Sequence, residues 1–65
     1  MRLTLNGKDR EAPELRTIEE LIRHLGIHRM IVVEHNGEII AREEYSERAI
    51  QDGDALEIVH LVGGG

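Results

Sequence analysis

The opening stretch, MRLTL, alternates apolar and polar residues, with Met1, Leu3 and Leu5 set against Arg2 and Thr4. A period of two predicts a strand with one buried face. Asn6-Gly7 follows, and both residues tolerate positive φ, so a tight hairpin is expected there. The return, about Lys8 to Ala12, is polar and reads as a sheet edge. Pro13 cannot donate a ladder hydrogen bond and marks the exit. The period then changes. Ile18, Leu21, Ile22 and Leu25 fall at i, i+3, i+4 and i+7, one apolar stripe of a helix spanning about Ile18 to Leu25. Thr17 with Glu20 forms a capping box at its start, and Gly26 supplies a left-handed stop.

The β-branched run MIVVEH, Met30 to His35, predicts another strand. Asn36-Gly37 turns it into a short return through Ile39, Ile40 and Ala41. Arg42 to Arg48 is polar, with Tyr45 as an anchor folded back on the core. Gln51 to Asp54 reads as a turn with solvated carboxylates, and Ala55 to Val62 as the last strand. A hairpin, a helix and further strands require a mixed sheet gripping one helix. In that arrangement the first and last strands are parallel neighbours at the centre, and both are expected to be apolar on more than one face. The predicted class is α+β, a four- to five-stranded mixed sheet on one main helix.

Composition narrows the chemistry. A chain of 65 residues is one small domain, which buries only about 60% of its unfolded surface. With no Phe, no Trp and one Tyr, the core is aliphatic. The absence of cysteine removes disulfides, thiol nucleophiles and thiolate metal sites, and fits a reducing compartment. A net charge of −5 opposes phosphate backbones and suits a protein partner with a basic docking face. No apolar run approaches the roughly 20 residues of a membrane span, and MRLTLNGKDR lacks the apolar core of a signal peptide. The expectation is a soluble, cytoplasmic protein that engages neither nucleic acid nor membrane.

Few residues offer chemistry of their own. His24 and His28 have the spacing of a helical metal pair, but Gly26 between them ends the helix, so no metal site is expected. His24 suits the negative end of the helix dipole, and His60 reads as a partly buried strand residue in preference to one lining a docking face. The remaining feature is EIVHLVGGG, where an apolar strand runs directly into Gly63, Gly64 and Gly65. Strand alternation assigns Leu56 and Ile58 to the core and leaves Val59 and Leu61 facing outward.

Four stretches carry a family resemblance: LNGK from Leu5, TIEELI from Thr17, EHNGEII from Glu34 and DGDALEIVHLVGGG from Asp52. Together they resemble the ubiquitin-like β-grasp proteins, and within these the ThiS/MoaD family of sulfur carriers, on the branch serving thiamine biosynthesis. The resemblance covers essentially the whole chain. It implies a β-grasp domain over 1–62 and a flexible glycine tail over 63–65. It also implies a carrier that is not an enzyme and binds no cofactor itself. The Gly65 carboxylate is the group acted on: a ThiF-like adenylating enzyme of the ubiquitin-activating type would adenylate it with ATP. Conversion to a thiocarboxylate would follow, with sulfur drawn from a cysteine desulfurase pathway. The product would donate sulfur to a ThiG-like thiazole synthase.

Geometry fits that role. Val62 to Gly65, fully extended, reach about 13 Å, and glycine lets a backbone approach a catalytic wall without a Cβ. Ordering such a tail costs entropy, so docking affinity must come from elsewhere. Val59, Leu61 and Val32 are the candidates. The small subunit of molybdopterin synthase shares the fold and the Gly-Gly end and stays open as an alternative, as does a Gly-Gly carrier for another sulfur-containing metabolite. So does a β-grasp interaction module whose glycine end is incidental.

Overall fold

The computed structural model describes residues 1–61, and residues 62–65 lie outside the described part. Five strands, one α-helix and a short 3-10 turn follow in the order β1 (Arg2–Leu5), β2 (Lys8–Glu11), α1 (Ile18–His24), β3 (Ile31–His35), β4 (Glu38–Ile40), the 3-10 turn (Arg42–Glu44) and β5 (Ala55–His60). The sheet order is β2-β1-β5-β3-β4. β1 and β5 are parallel, and the other pairings are antiparallel. The expected mixed sheet on one helix is present, with all five strands in one sheet.

Local chemistry explains the turns. Asn6 and Gly7 have φ of 51° and 80°, and Asn36 and Gly37 have 50° and 87°. Two successive positive φ values match the right-handed twist of the flanking strands, which sets both hairpin registers. At the helix start, Thr17 Oγ1 accepts from the Glu20 amide at 3.2 Å. Glu20 reaches back one residue beyond the cap and accepts from the Arg16 amide at 2.9 Å, so its carboxylate ties down the entering chain. Gly26, at φ 69°, ends the helix and releases residues 27–30 toward the next strand.

The core lies between α1 and one face of the sheet. Ile18, Leu21, Val33, Leu56 and Ile58 are buried there with Leu3 and Ile50, and Tyr45 packs against them as expected. The other face of the sheet is open. β5 is buried only at Leu56 and Ile58, and its alternate residues are exposed. Of the two central strands expected to be apolar on more than one face, β1 departs, since Arg2 and Thr4 alternate with buried Leu3, whereas β5 carries apolar Val59 on its second face, exposed. With a single helix, only one face is covered, and the apolar residues on the second face point to solvent.

Candidate functional site

Register brings the open face together. Val32 lies opposite Val59 across the β3–β5 ladder. The Leu61 amide donates to the Met30 carbonyl at 3.0 Å, continuing the ladder one step past the end of β5. Ile39 of β4 pairs with Glu34 of β3. Four of these residues are strongly exposed: Met30 at 71%, Ile39 at 69%, Val59 at 56% and Leu61 at 48%. Val32 is half-buried between its neighbours. The result is an apolar patch at the end of the sheet from which the chain leaves toward residues 62–65. Exposed apolar patches rimmed by polar residues mark interaction surfaces for proteins, membranes or ligands.

Charge borders the patch on its inner side. Glu34 sits directly opposite Glu57, and like charges in that position repel. A partner surface that brings a cation between them would remove the repulsion.

The candidates named from the sequence divide clearly. Val59, Leu61 and Val32 are brought together on this face. Gly63, Gly64 and Gly65 lie outside the described residues. Met30 and Ile39 were missed. Their signal was present in the parity of MIVVEH and EII, which puts Met30 in phase with Val32 and leaves Ile39 facing away from the core residue Ile40.

His60 requires correction: it is exposed rather than partly buried. It has the same parity as Leu56 and Ile58 but lies beyond the helix, in a shallow cleft with Leu5, Asn6, Arg10 and Leu25. α1 ends at His24, so His28 does not continue its helical face. Among the described residues, no group of three His, Asp or Glu side chains is placed to hold a metal. No described helix is long and apolar enough to cross a membrane.

Asp54 also departs from expectation. It is not a solvated turn carboxylate but the centre of a polar network. His35, buried at the end of β3, meets it at 2.7 Å through Nε2. Arg48 Nε donates to His35 Nδ1 at 3.1 Å, which requires a lone pair on Nδ1 and so places the proton on Nε2. Arg48 also holds Glu38 at 2.9 Å. The Gln51 amide and the Asn36 side chain complete the shell around Asp54 at 2.9 and 3.2 Å. Burial alone would raise the Asp54 pKa, but the hydrogen bonds from His35, Gln51 and Asn36 outweigh it and hold the carboxyl below its ordinary value. The hydrogen bond from Arg48, with its charge, lowers Glu38 similarly. This network clamps the β3–β4 hairpin to the turn that launches β5. It stands at the far end of the sheet from Leu61 and takes no part in the apolar patch.

Comparison with known proteins follows the same outline. Residues 3–65 match the model of the ThiS family. The sulfur carrier protein ThiS of Bacillus subtilis is 43% identical over 65 residues, covering 97% of this chain and 98% of that protein. A thiazole synthase of Paramagnetospirillum magneticum is 42% identical over 66 residues, covering the whole of this chain but 20% of that protein. The chain thus spans about a fifth of the length of the thiazole synthase it matches. The crystal structure of the thiamine biosynthesis protein ThiS from Geobacter metallireducens has a TM-score of 0.85 to this chain at 35% identity, covering 100% of both.

Proposed function

The chain belongs to the ThiS family, and from that premise we propose that it is a sulfur carrier for thiazole formation in thiamine biosynthesis. The observation that carries the reading is the exposed patch of Met30, Ile39, Val59 and Leu61 around half-buried Val32, at the end of the sheet from which the chain runs on toward Gly63, Gly64 and Gly65. The relatives support the thiamine branch over the molybdopterin one, since both sulfur carrier and thiazole synthase names accompany full-length matches to this chain.

The chemistry needs no side chain from the carrier. A carboxylate resists attack because resonance and negative charge disfavour it. In an adenylating partner, a Gly65 carboxylate oxygen attacks the α-phosphorus of ATP, and diphosphate leaves. A sulfur nucleophile at the oxidation level of sulfide then attacks the acyl carbon, the carbon–oxygen bond to phosphate breaks, and AMP departs. The product is a thiocarboxylate, which passes sulfur to thiazole synthase without releasing free sulfide. ATP belongs to the partner, and the domain itself is a substrate and not an enzyme. The partners are a ThiF-like adenylating enzyme, a ThiG-like thiazole synthase and a cysteine desulfurase pathway supplying sulfur, all in the cytoplasm. The full-length match within thiazole synthases supports the second partner in particular.

The proposal requires a free carboxylate on Gly65, presented by Gly63 and Gly64. Intact mass of the protein purified from its host tests this. A fraction should end at Gly65 with one oxygen replaced by sulfur, and deletion of Gly65 should abolish that species while leaving the fold unchanged. A chain that continues past Gly65 uncleaved, or adenylation indifferent to the deletion, would leave only an interaction module. Stable binding to the molybdopterin synthase large subunit but not to thiazole synthase would move the chain to that branch.

A further inference from the structure

An open groove of about 630 Å³ runs between α1, residues 27–31 and the 3-10 turn. Its floor is apolar, formed by half-buried Ile22, Ile27, Ile31 and Tyr45. Its rim carries Arg23, Arg29 and Arg42, three of the eight basic residues in a chain of net charge −5. Arg23 is paired with Glu19 at 3.3 Å. Neither Arg29 nor Arg42 makes an ion pair with another described residue. The groove is thus a local inversion of the molecule's charge, with two guanidinium groups that form no ion pair among the described residues above an apolar floor.

Its position ties it to the open face. Met30 lines the groove and is also the residue whose carbonyl receives the Leu61 amide. Groove and apolar patch therefore meet at the root of the C-terminal segment, on opposite faces of the sheet. The patch is bordered by the Glu34–Glu57 pair and the groove by arginines.

We propose that this groove is a second docking surface, occupied by an acidic segment of the protein that acts on the C-terminal end. This deepens the carrier reading and rests on it. Two carboxylates would pair with Arg29 and Arg42, and an apolar side chain between them would seat on Ile27, Ile31 and Tyr45. Charge complementarity selects this occupant. Guanidinium groups form forked, charge-assisted bonds with carboxylates. The overall negative charge opposes the approach of a nucleic acid or an anionic membrane, whereas a folded partner presents its acidic segment locally. Opposite signs on the two sides of one exit point also fix the partner's orientation, because a rotated complex would place like charges together.

The test measures binding of the full chain to two probes taken separately from the same genome, the adenylating enzyme and the thiazole synthase. Wild type, R29E/R42E and R29K/R42K are compared at low and high salt, with thermal melts checking the fold. The expected result is that R29E/R42E weakens binding to at least one probe by about tenfold or more. The lysine variant should be intermediate, and the salt sensitivity seen in wild type should be lost on charge reversal. Equal affinity of R29E/R42E and wild type for both probes overturns the groove and leaves the carrier reading intact. Wild type binding neither probe overturns both. Self-association of the wild-type chain that R29E/R42E abolishes would place a second copy in the groove and overturn the assignment to a partner.

Discussion

The imidazole of His35 and the carboxylate of Asp54 meet at 2.7 Å, joining the end of β3 to the turn before β5. His35 is the one buried polar residue among those described, at 6% exposure. Its Nε2 proton has Asp54 as acceptor, and its Nδ1 lone pair has Arg48 as donor. Asp54→Ala leaves the buried Nε2–H without that acceptor and removes the acceptor of the Gln51 amide. The expected cost is about 1–3 kcal/mol, measured by urea unfolding. A loss within error would show that water replaces the carboxylate at no cost.

Acid should weaken the same clamp. Asp54 and Glu38 both titrate lower in the fold than their ordinary values, because hydrogen bonds from His35, Gln51 and Asn36 hold the first and Arg48 holds the second. A carboxyl depressed in the native state contributes stability that is complete above its unfolded pKa, about 4 for both residue types. That contribution is lost as pH falls through the folded value. The urea midpoint of wild type should fall more steeply below about pH 4 than that of Asp54→Asn. Parallel curves for the two proteins would contradict the depressed carboxyl.

Leu21 is 2% exposed and belongs to the stripe that seats α1 on the sheet. So short a helix has little stability of its own. Leu21→Ala should cost about 2–5 kcal/mol, read from urea or thermal unfolding. A cost under about 1 kcal/mol would mean that the sheet holds without the helix stripe.

Val59 and Leu61 should behave in the opposite way. Both are about half exposed, so Val59→Asp and Leu61→Asp should leave the melting temperature nearly unchanged. Thiocarboxylate formation at limiting partner should nevertheless fall by about tenfold or more, since each places a charge in an apolar contact that must desolvate. Intact mass after loading with purified partners provides the readout. Full loading at wild-type rate would remove this face from the docking surface.

Glu57 offers a gain. Its partner across the ladder is Glu34, and replacing a like-charge pair by an opposite pair contributes about 0.2–1 kcal/mol. Glu57→Lys should therefore raise the melting temperature while weakening partner binding. If stability rises and binding is untouched, the acidic pair has no part in docking.

Much of this molecule was legible before folding. The Asn-Gly turns, the Thr17–Glu20 cap, the stripe from Ile18 to Leu25 and the Gly26 stop are local, depending on φ, ψ and a period within a few residues. Alternation in ALEIVHL also separated Leu56 and Ile58 from Val59 and Leu61 correctly. His60 was misjudged because parity names a face but not where the covering helix ends. Asp54 was misjudged because a turn carboxylate looks solvated until the buried histidine beside it, on another strand, is known.

The sequence by itself thus determined the elements, their order and, His60 aside, the inward face of each. Only the tertiary structure decided which distant residues become neighbours: Val32 with Val59, Met30 with Leu61 and Glu34 with Glu57 on the open face, and buried His35 with Asp54. The physical reason is that conformation and periodicity are encoded between nearby residues, whereas these pairs join segments more than 15 residues apart and depend on a register that long-range pairing sets. The open face has the same origin, since one helix covers one side of a sheet and leaves the other to solvent.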